Sequence, residues 1–435
     1  MDFALFVLVN VALFLRPQDL MPSLAGIAFY NLLIVANLVI SSPVILYQLQ
    51  TGIRRSPALI CVMGVLAAIV LSLLAKADVS GAWTFGLEFS KVVAYFLLML
   101  AVLRTPRRFG LFLGLVVGLT TVLAAICVAH FHGQLDVAAI VHAREVTYDD
   151  VTGSQRSALR LSAFGVFADP NDLSMLVVLS MLICLGGLCY RKLGSLRWPL
   201  AGVLLFLGYT LALTQSRGGL LALMAGVGAL LMSRYGMSRA SLALAALVPL
   251  LLIVFGGRQA DISGSIASGT GGSRTELWYA GLQMIKWHPL TGIGHGHFVE
   301  EQGLVAHSSY VQALAEWGLI GGTAFVGLFY VVLHSVWRLK QVRSRIASPL
   351  LHSFQPYVMG ALAAYATSML TLTRCDVVPT YLVAGLGVSF ERLARRHAPL
   401  RPLEFTPRLA MQMAGVSLGY LALLYVYIRF IYRMF

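Results

Sequence analysis

The chain reads as an all-α polytopic membrane protein of about twelve to thirteen transmembrane helices, and three observations predict this. It is 58% hydrophobic and only 11% charged, with a mean hydropathy of +0.81. A soluble domain needs about twice that charged fraction to keep its surface wet. Apolar runs long enough to cross a hydrocarbon core recur from end to end. Every second connection between those runs is basic.

The runs lie near 3–15, 25–46, 57–75, 89–103, 109–130, 172–190, 198–214, 218–233, 240–256, 310–335, 353–372, 376–390 and 409–431. Several are short, so one of them is open to a re-entrant or interfacial reading. Only Met1 and Asp2 precede the first run, which is therefore read as a span and not as a signal peptide with its basic leader. With the N-terminus inside, Arg54 and Arg55, Arg104, Arg107 and Arg108, Arg191, Lys192 and Arg197, Arg234 and Arg239 all fall inside. So do Arg338, Lys340, Arg343 and Arg345, and the group from Arg392 to Arg408. This is the positive-inside pattern. The net charge of +14 then reflects topology and anionic membrane lipid, not nucleic-acid binding.

Residues 1–435 form one expected membrane domain. Two related halves of the kind found in many carriers are not visible, which disfavours transport. Cys61, Cys127, Cys184, Cys189 and Cys375 lie in spans or at a span edge with no CxxC spacing, so they read as small buried thiols.

Two long polar segments, 131–171 and 258–308, fall outside. The first is mixed in character and ends in Asp169-Pro170-Asn171-Asp172, a cap and turn signal that opens the next span. The second opens with a Gly/Ser-rich stretch running to Arg274, expected to be flexible. Leu277, Ala280, Gly281, Met284 and Trp287 then recur at helical spacing. They predict a helix lying across the outer surface, stopped by Pro289. Gly292, Gly294 and Gly296 match no phosphate-binding pattern and are expected to serve turns of positive φ.

The residues capable of chemistry gather on that outer face. Arg217 sits between Thr214-Gln215-Ser216 and Gly218-Gly219, a polar corner that presents a guanidinium fork suited to phosphate oxygens. The plain alternative is an arginine snorkelling into headgroups. Arg160, Arg274 and Arg374 share the face, and together such cations suit a diphosphate. His307 stands at the start of the helix that carries Tyr310, Val311, Leu314 and Trp317. It either caps that helix or, kept neutral by the helix's positive end, acts as a general base. His295 and His297, with Glu300 and Glu301, are the candidate metal ligands. Their spacing matches no recognised metal motif, and no metal or other cofactor is expected.

At these residues the sequence resembles the O-antigen ligase family of the wider O-antigen ligase and polymerase superfamily. The pieces that carry the resemblance are "FADPNDLSML", "TQSRGGLLAL", "HPLTGIGHGHF" and "AHSSYVQALAEWGLIGG", together with the many-span topology and the large loop before the histidine helix. The resemblance implies a GT-C-like architecture and a metal-independent, inverting glycosyltransferase of the bacterial inner membrane, with its site on the periplasmic face. It implies transfer of a glycan from undecaprenyl diphosphate to lipid A–core oligosaccharide in lipopolysaccharide biosynthesis. The family's essential histidine falls on His307, its essential arginine on Arg217, and a further loop arginine on Arg274. Arg160 joins them by location and charge, with Arg374, Gln215 and Tyr310 as supporting positions. An O-antigen polymerase or a protein O-oligosaccharyltransferase of the same superfamily stays open. A transporter of lipid-linked glycan is the rival from another class.

Overall fold

The computed structural model describes residues 1–24, 26, 28–52, 55–148, 155–254, 270–396 and 398–434. The opening part of the Gly/Ser stretch, up to residue 269, lies outside them. Sixteen α-helices are described, besides short 3-10 turns: α1 (Asp2–Leu15), α2 (Pro17–Leu20), α3 (Phe29–Gln50), α4 (Pro57–Leu74), α5 (Val79–Val102), α6 (Pro106–Phe131), α7 (Pro170–Cys189) and α8 (Pro199–Thr214). The others are α9 (Arg217–Tyr235), α10 (Met237–Val254), α11 (Thr270–Trp287), α12 (His297–Gln302), α13 (Ser309–Arg338), α14 (Pro349–Ser368), α15 (Val378–Arg395) and α16 (Pro407–Met434).

The helix starts follow from local chemistry. Pro57, Pro106, Pro170, Pro199, Pro349 and Pro379 stand at the first or second position of their helices, where a missing N–H costs nothing. The side chains of Asp78, Thr105, Asp169, Ser216 and Ser308 accept first-turn N–H groups.

Each of the thirteen apolar runs coincides with a helix. Among the described residues, nine helices are long and apolar enough to cross a membrane. The count is ten if the short helix Arg191–Arg197 and α8, bent by 71°, make one span. The shortfall from twelve to thirteen comes from α10, α14 and α15. Most of α14 and α15 is buried in the bundle, and a helix surrounded by protein does not need a lipid-compatible exterior. Helix α14 approaches α9 closely where Gly226 meets Gly360. A Cβ on Gly226 would stand 2.8 Å from Ala364 Cβ and 3.0 Å from the Gly360 carbonyl oxygen.

Among the described residues, one two-stranded element is not helical. Strands β1 (Ala143–Tyr148) and β2 (Gln155–Arg160) pair antiparallel with Ala143 opposite Arg160. This hairpin lies within the segment that sequence left as mixed.

The two ends of the bundle differ. At one, basic side chains cross between connections: Arg104 and Arg108 meet Asp2, Arg396 donates to the Arg104 carbonyl, and Lys340 to the Met232 carbonyl. This is the basic face. The other, the site face, gathers the hairpin, the α8–α9 corner, α11, α12 and the segment between α14 and α15.

Candidate functional site

Asn171, in the first turn of α7, organises one half of the site. Its side-chain oxygen accepts from Ser216 Oγ at 2.8 Å and from Arg160 Nη2 at 3.0 Å. Arg160 Nε also donates to the Thr214 carbonyl at 3.0 Å, and Leu161 N–H donates to the Leu213 carbonyl. The hairpin is thereby sewn to the α8–α9 corner. Gln215 takes φ 49° there and turns the chain so that Arg217 opens α9. The first turn of α9 rests on the α14–α15 segment, since a Cβ on Gly218 would stand 2.4 Å from Thr371 Oγ1.

The other half begins at Ser309. Its N–H donates to the Met369 carbonyl, its hydroxyl donates to the Leu372 carbonyl, and that hydroxyl accepts from the Arg374 N–H. Arg374 grips Asp172 of α7 through two nitrogens, Nε at 2.9 Å from Oδ1 and Nη2 on Oδ2. The Asp172 carboxylate is 1% exposed, so removing its partner would leave a buried charge. The N-termini of α7, α9 and α13 thus converge on one place. Their aligned dipoles and the first-turn N–H groups that the caps leave over add positive potential to that of Arg160, Arg217 and Arg274, while Arg374 is offset by Asp172.

His307 sits at this convergence with φ 50°, a conformation non-glycine residues rarely adopt. The backbone before it is held at both groups: Ala306 N–H donates to Gln312 Oε1 and Ala306 C=O accepts from Trp278 Nε1, each at 2.9 Å. Behind it Ser308 caps α13, and its hydroxyl lies 3.2 Å from Tyr420 OH. Such over-determination is what holds a strained residue in place. Burial lowers the His307 pKa. Arg274 and Arg374 push it the same way, and Asp169 opposes them. Burial and the facing arginines thus hold the ring neutral near pH 7.

The "HPLTGIGHG" loop fills a break in α13. The helix kinks at Gly318, φ 64° and ψ −168°. Ile293 and Gly294 donate N–H groups to the freed carbonyls of Ala315 and Glu316, while Leu319 N–H reaches the Pro289 carbonyl. A broken span must satisfy its backbone in this way. Gly292 and Gly318 fit only as glycine: both have positive φ, and a Cβ on either would stand 2.3 Å from the other strand's backbone. The turn reading of these glycines is the one the geometry supports.

Several sequence assignments need correction. Ser308, not His307, caps α13. Tyr310 faces the bundle and donates to the Ala366 carbonyl, so it packs α13 and does not face the site. Arg374 and Gln215, expected only as supporting positions, are not among these corrections: the first pairs with Asp172 and the second turns the α8–α9 corner. On α11, Leu277 and Met284 are buried as expected, but Trp287 is 72% exposed at the helix end and Ile285 takes its place. His295 and His297 do not join with Glu300 and Glu301 into one cluster. His295 lies 3.1 Å from Glu316 and 3.7 Å from Asp376, whereas His297 lies 3.8 Å from Glu300. Among the described residues no three His, Cys, Asp or Glu side chains are grouped to hold a metal ion. Asn171, Asp172, Gln312 and Trp278 were missed. Asp172 carried a usable signal, because an acid inside a span demands a cation and Arg374 opens from the same face.

Residues 201–326 match the family described as O-antigen ligase. The match supports a place for the chain in the O-antigen ligase and polymerase superfamily. The matched stretch holds Arg217, Arg274, His307 and the Gly318 break, while Arg160, Asn171, Asp172 and Arg374 come from outside it. The superfamily's enzymes are glycosyltransferase-like. No curated protein matches the chain.

Proposed function

We propose that the protein is an O-antigen ligase, an inverting and metal-independent glycosyltransferase acting on the periplasmic face of the bacterial inner membrane. The donor is a glycan on undecaprenyl diphosphate and the acceptor a sugar hydroxyl of lipid A–core oligosaccharide. One observation carries this reading: a neutral, backbone-locked histidine faces arginines where three helix N-termini converge.

Each part has a physical task. Arg217 and Arg274, with Arg160 behind them and the helix N-termini, bind the diphosphate and stabilise the charge that develops on it as it leaves. His307 takes the proton of the acceptor hydroxyl. The acceptor oxygen bonds to the anomeric carbon from the face opposite the diphosphate. The carbon–oxygen bond to the diphosphate breaks, and its electron pair leaves on the diphosphate oxygen. Arg374 and Asp172 hold the α7 and α13 ends in register.

The test is reconstitution of purified protein with lipid-linked glycan and lipid A–core, with and without EDTA. The reading predicts glycan on lipid A–core and free undecaprenyl diphosphate, undiminished by chelator. Extension of the glycan on its own lipid carrier would instead identify a polymerase, and transfer to protein a protein glycosyltransferase. In a cysteine-free background, a cysteine at Gly303 should react with an impermeant thiol reagent in spheroplasts and one at Ser344 should not. The opposite pattern would remove the site from the acceptor's compartment.

A further inference from the structure

On the other flank of the Arg374–Asp376 segment lies a cavity of about 520 Å³ opening on the site face, within the size range of small-molecule sites. The ends of α1 and α3 and the first half of α5 wall it, with His295 and Asp376 also in its lining. Two of its lining residues, Tyr30 and Gln18, carry side-chain oxygens that are buried in its wall and have no hydrogen-bond partner among the described residues. Buried polar atoms are rarely left so. Its cations are each matched by an acid: Arg16 with Asp19 at 3.2 Å, Lys91 with Glu88 at 3.3 Å, and His295 with Glu316 and Asp376. Charge balance of this kind does not select a phosphate. Alternating donors and acceptors beside Phe85 and Phe89 suit a neutral, polyhydroxylated ring.

The cavity is also joined to the base. His295 contacts Glu316, Glu316 accepts from Gln312, and Gln312 holds the N–H of Ala306 beside His307. Asp376 reaches the same place along the chain through Arg374. We propose that this cavity is a carbohydrate subsite for the acceptor, taking a sugar ring next to the one whose hydroxyl reacts. The proposal rests on the ligase reading, and it assigns donor and acceptor to opposite flanks of the 374–376 segment.

The probe is deacylated lipid A–core oligosaccharide, titrated into purified full-length protein without donor, with transfer kinetics measured on the same preparations. Tyr30→Phe and Asp376→Asn should each weaken oligosaccharide binding about 3- to 10-fold, the worth of one hydrogen bond. Each should raise the acceptor KM in step and leave the donor KM unchanged. Arg217→Ala should leave oligosaccharide binding as in the wild type. Tyr30→Phe keeps its ring, and a melting curve confirms that it folds. Wild-type binding that neither substitution weakens would overturn the subsite, as would a rise in donor KM alone. Failure of the wild type to bind would overturn it too. Transfer measured in the same preparation then shows whether the ligase reading falls with it.

Discussion

His307 and His295 stand at opposite ends of the first half of α13, one before its Ser308 cap and the other against Glu316 and Trp317, and their surroundings differ in sign. His307 faces Arg274 and Arg374 and is held neutral by burial and those charges. His295 is more deeply buried, which disfavours its charge, yet the hydrogen bond and charge of Glu316, with Asp376 behind it, outweigh burial and raise its pKa. One ring is thus prepared to accept a proton and the other to keep one. Backbone support differs as well. His307 occupies a strained conformation clamped by Gln312 and Trp278, whereas His295 follows the loop that stitches the Gly318 break. Charge therefore divides the two histidines into the proposed base and a ring that binds carboxylates.

The largest expected effect comes from removing each ring in turn. His307→Ala should lower transfer per folded molecule by about two to four decades, the usual worth of general-base catalysis. His295→Ala should cost transfer far less and instead lower stability. The sign follows from its raised folded pKa: the stabilisation is full below the ordinary value of about 6.5 and fades as pH rises through the folded value. The melting temperature of His295→Ala should therefore fall further below wild type at pH 6 than at pH 9. An equal deficit at both pH values would break the comparison.

Arg217 sharpens it from the donor side. Arg217→Ala should lose about two to four decades of transfer, since a charged contact in a low-dielectric site is worth roughly 3–5 kcal/mol. Arg217→Lys keeps the charge but loses the fork and should retain part of the activity. A silent lysine variant, with alanine lowering only protein yield, would mean that this arginine merely snorkels.

A smaller effect is expected at the clamp. Gln312→Leu or Trp278→Phe frees one group of Ala306 and should lower kcat about 10-fold, the worth of a hydrogen bond of roughly 1.4 kcal/mol. The acceptor KM should change little. A KM effect without loss of kcat would show that these residues shape binding and do not hold His307.

Much of this architecture was legible because lipid imposes a simple rule on sequence. Each of the apolar runs became a helix, and the basic connections meet one another on one face. Arg217 and His307, the two residues the proposed function leans on most, stand out in sequence through the local polarity of "TQSRGG" and "AHSSY". The rest required tertiary structure. The hairpin strands "AREVTY" and "QRSALR" lack the alternation that marks a half-buried strand. Arg374 and Asp172 are 202 positions apart, and only the fold turns two separate charges into one buried pair. The clamp on Ala306 draws on α11 and α13 together, and the left-handed His307 that it holds leaves no mark on composition. Trp287 followed the helical period but fell at the helix end, where no surface remained to cover it.

The proposed role of His307 depends on its charge environment, and the pH dependence of kcat/KM for transfer reads that environment. Because the neutral ring is the active form, the acid limb should have its midpoint below the ordinary histidine value of about 6.5. Arg274→Gln removes a cation that holds the proton off, so in the residual activity of that variant the midpoint should move to higher pH. A wild-type midpoint above 6.5, or one that Arg274→Gln leaves in place, would contradict the assignment of His307 as a base kept neutral by burial and by the arginine facing it.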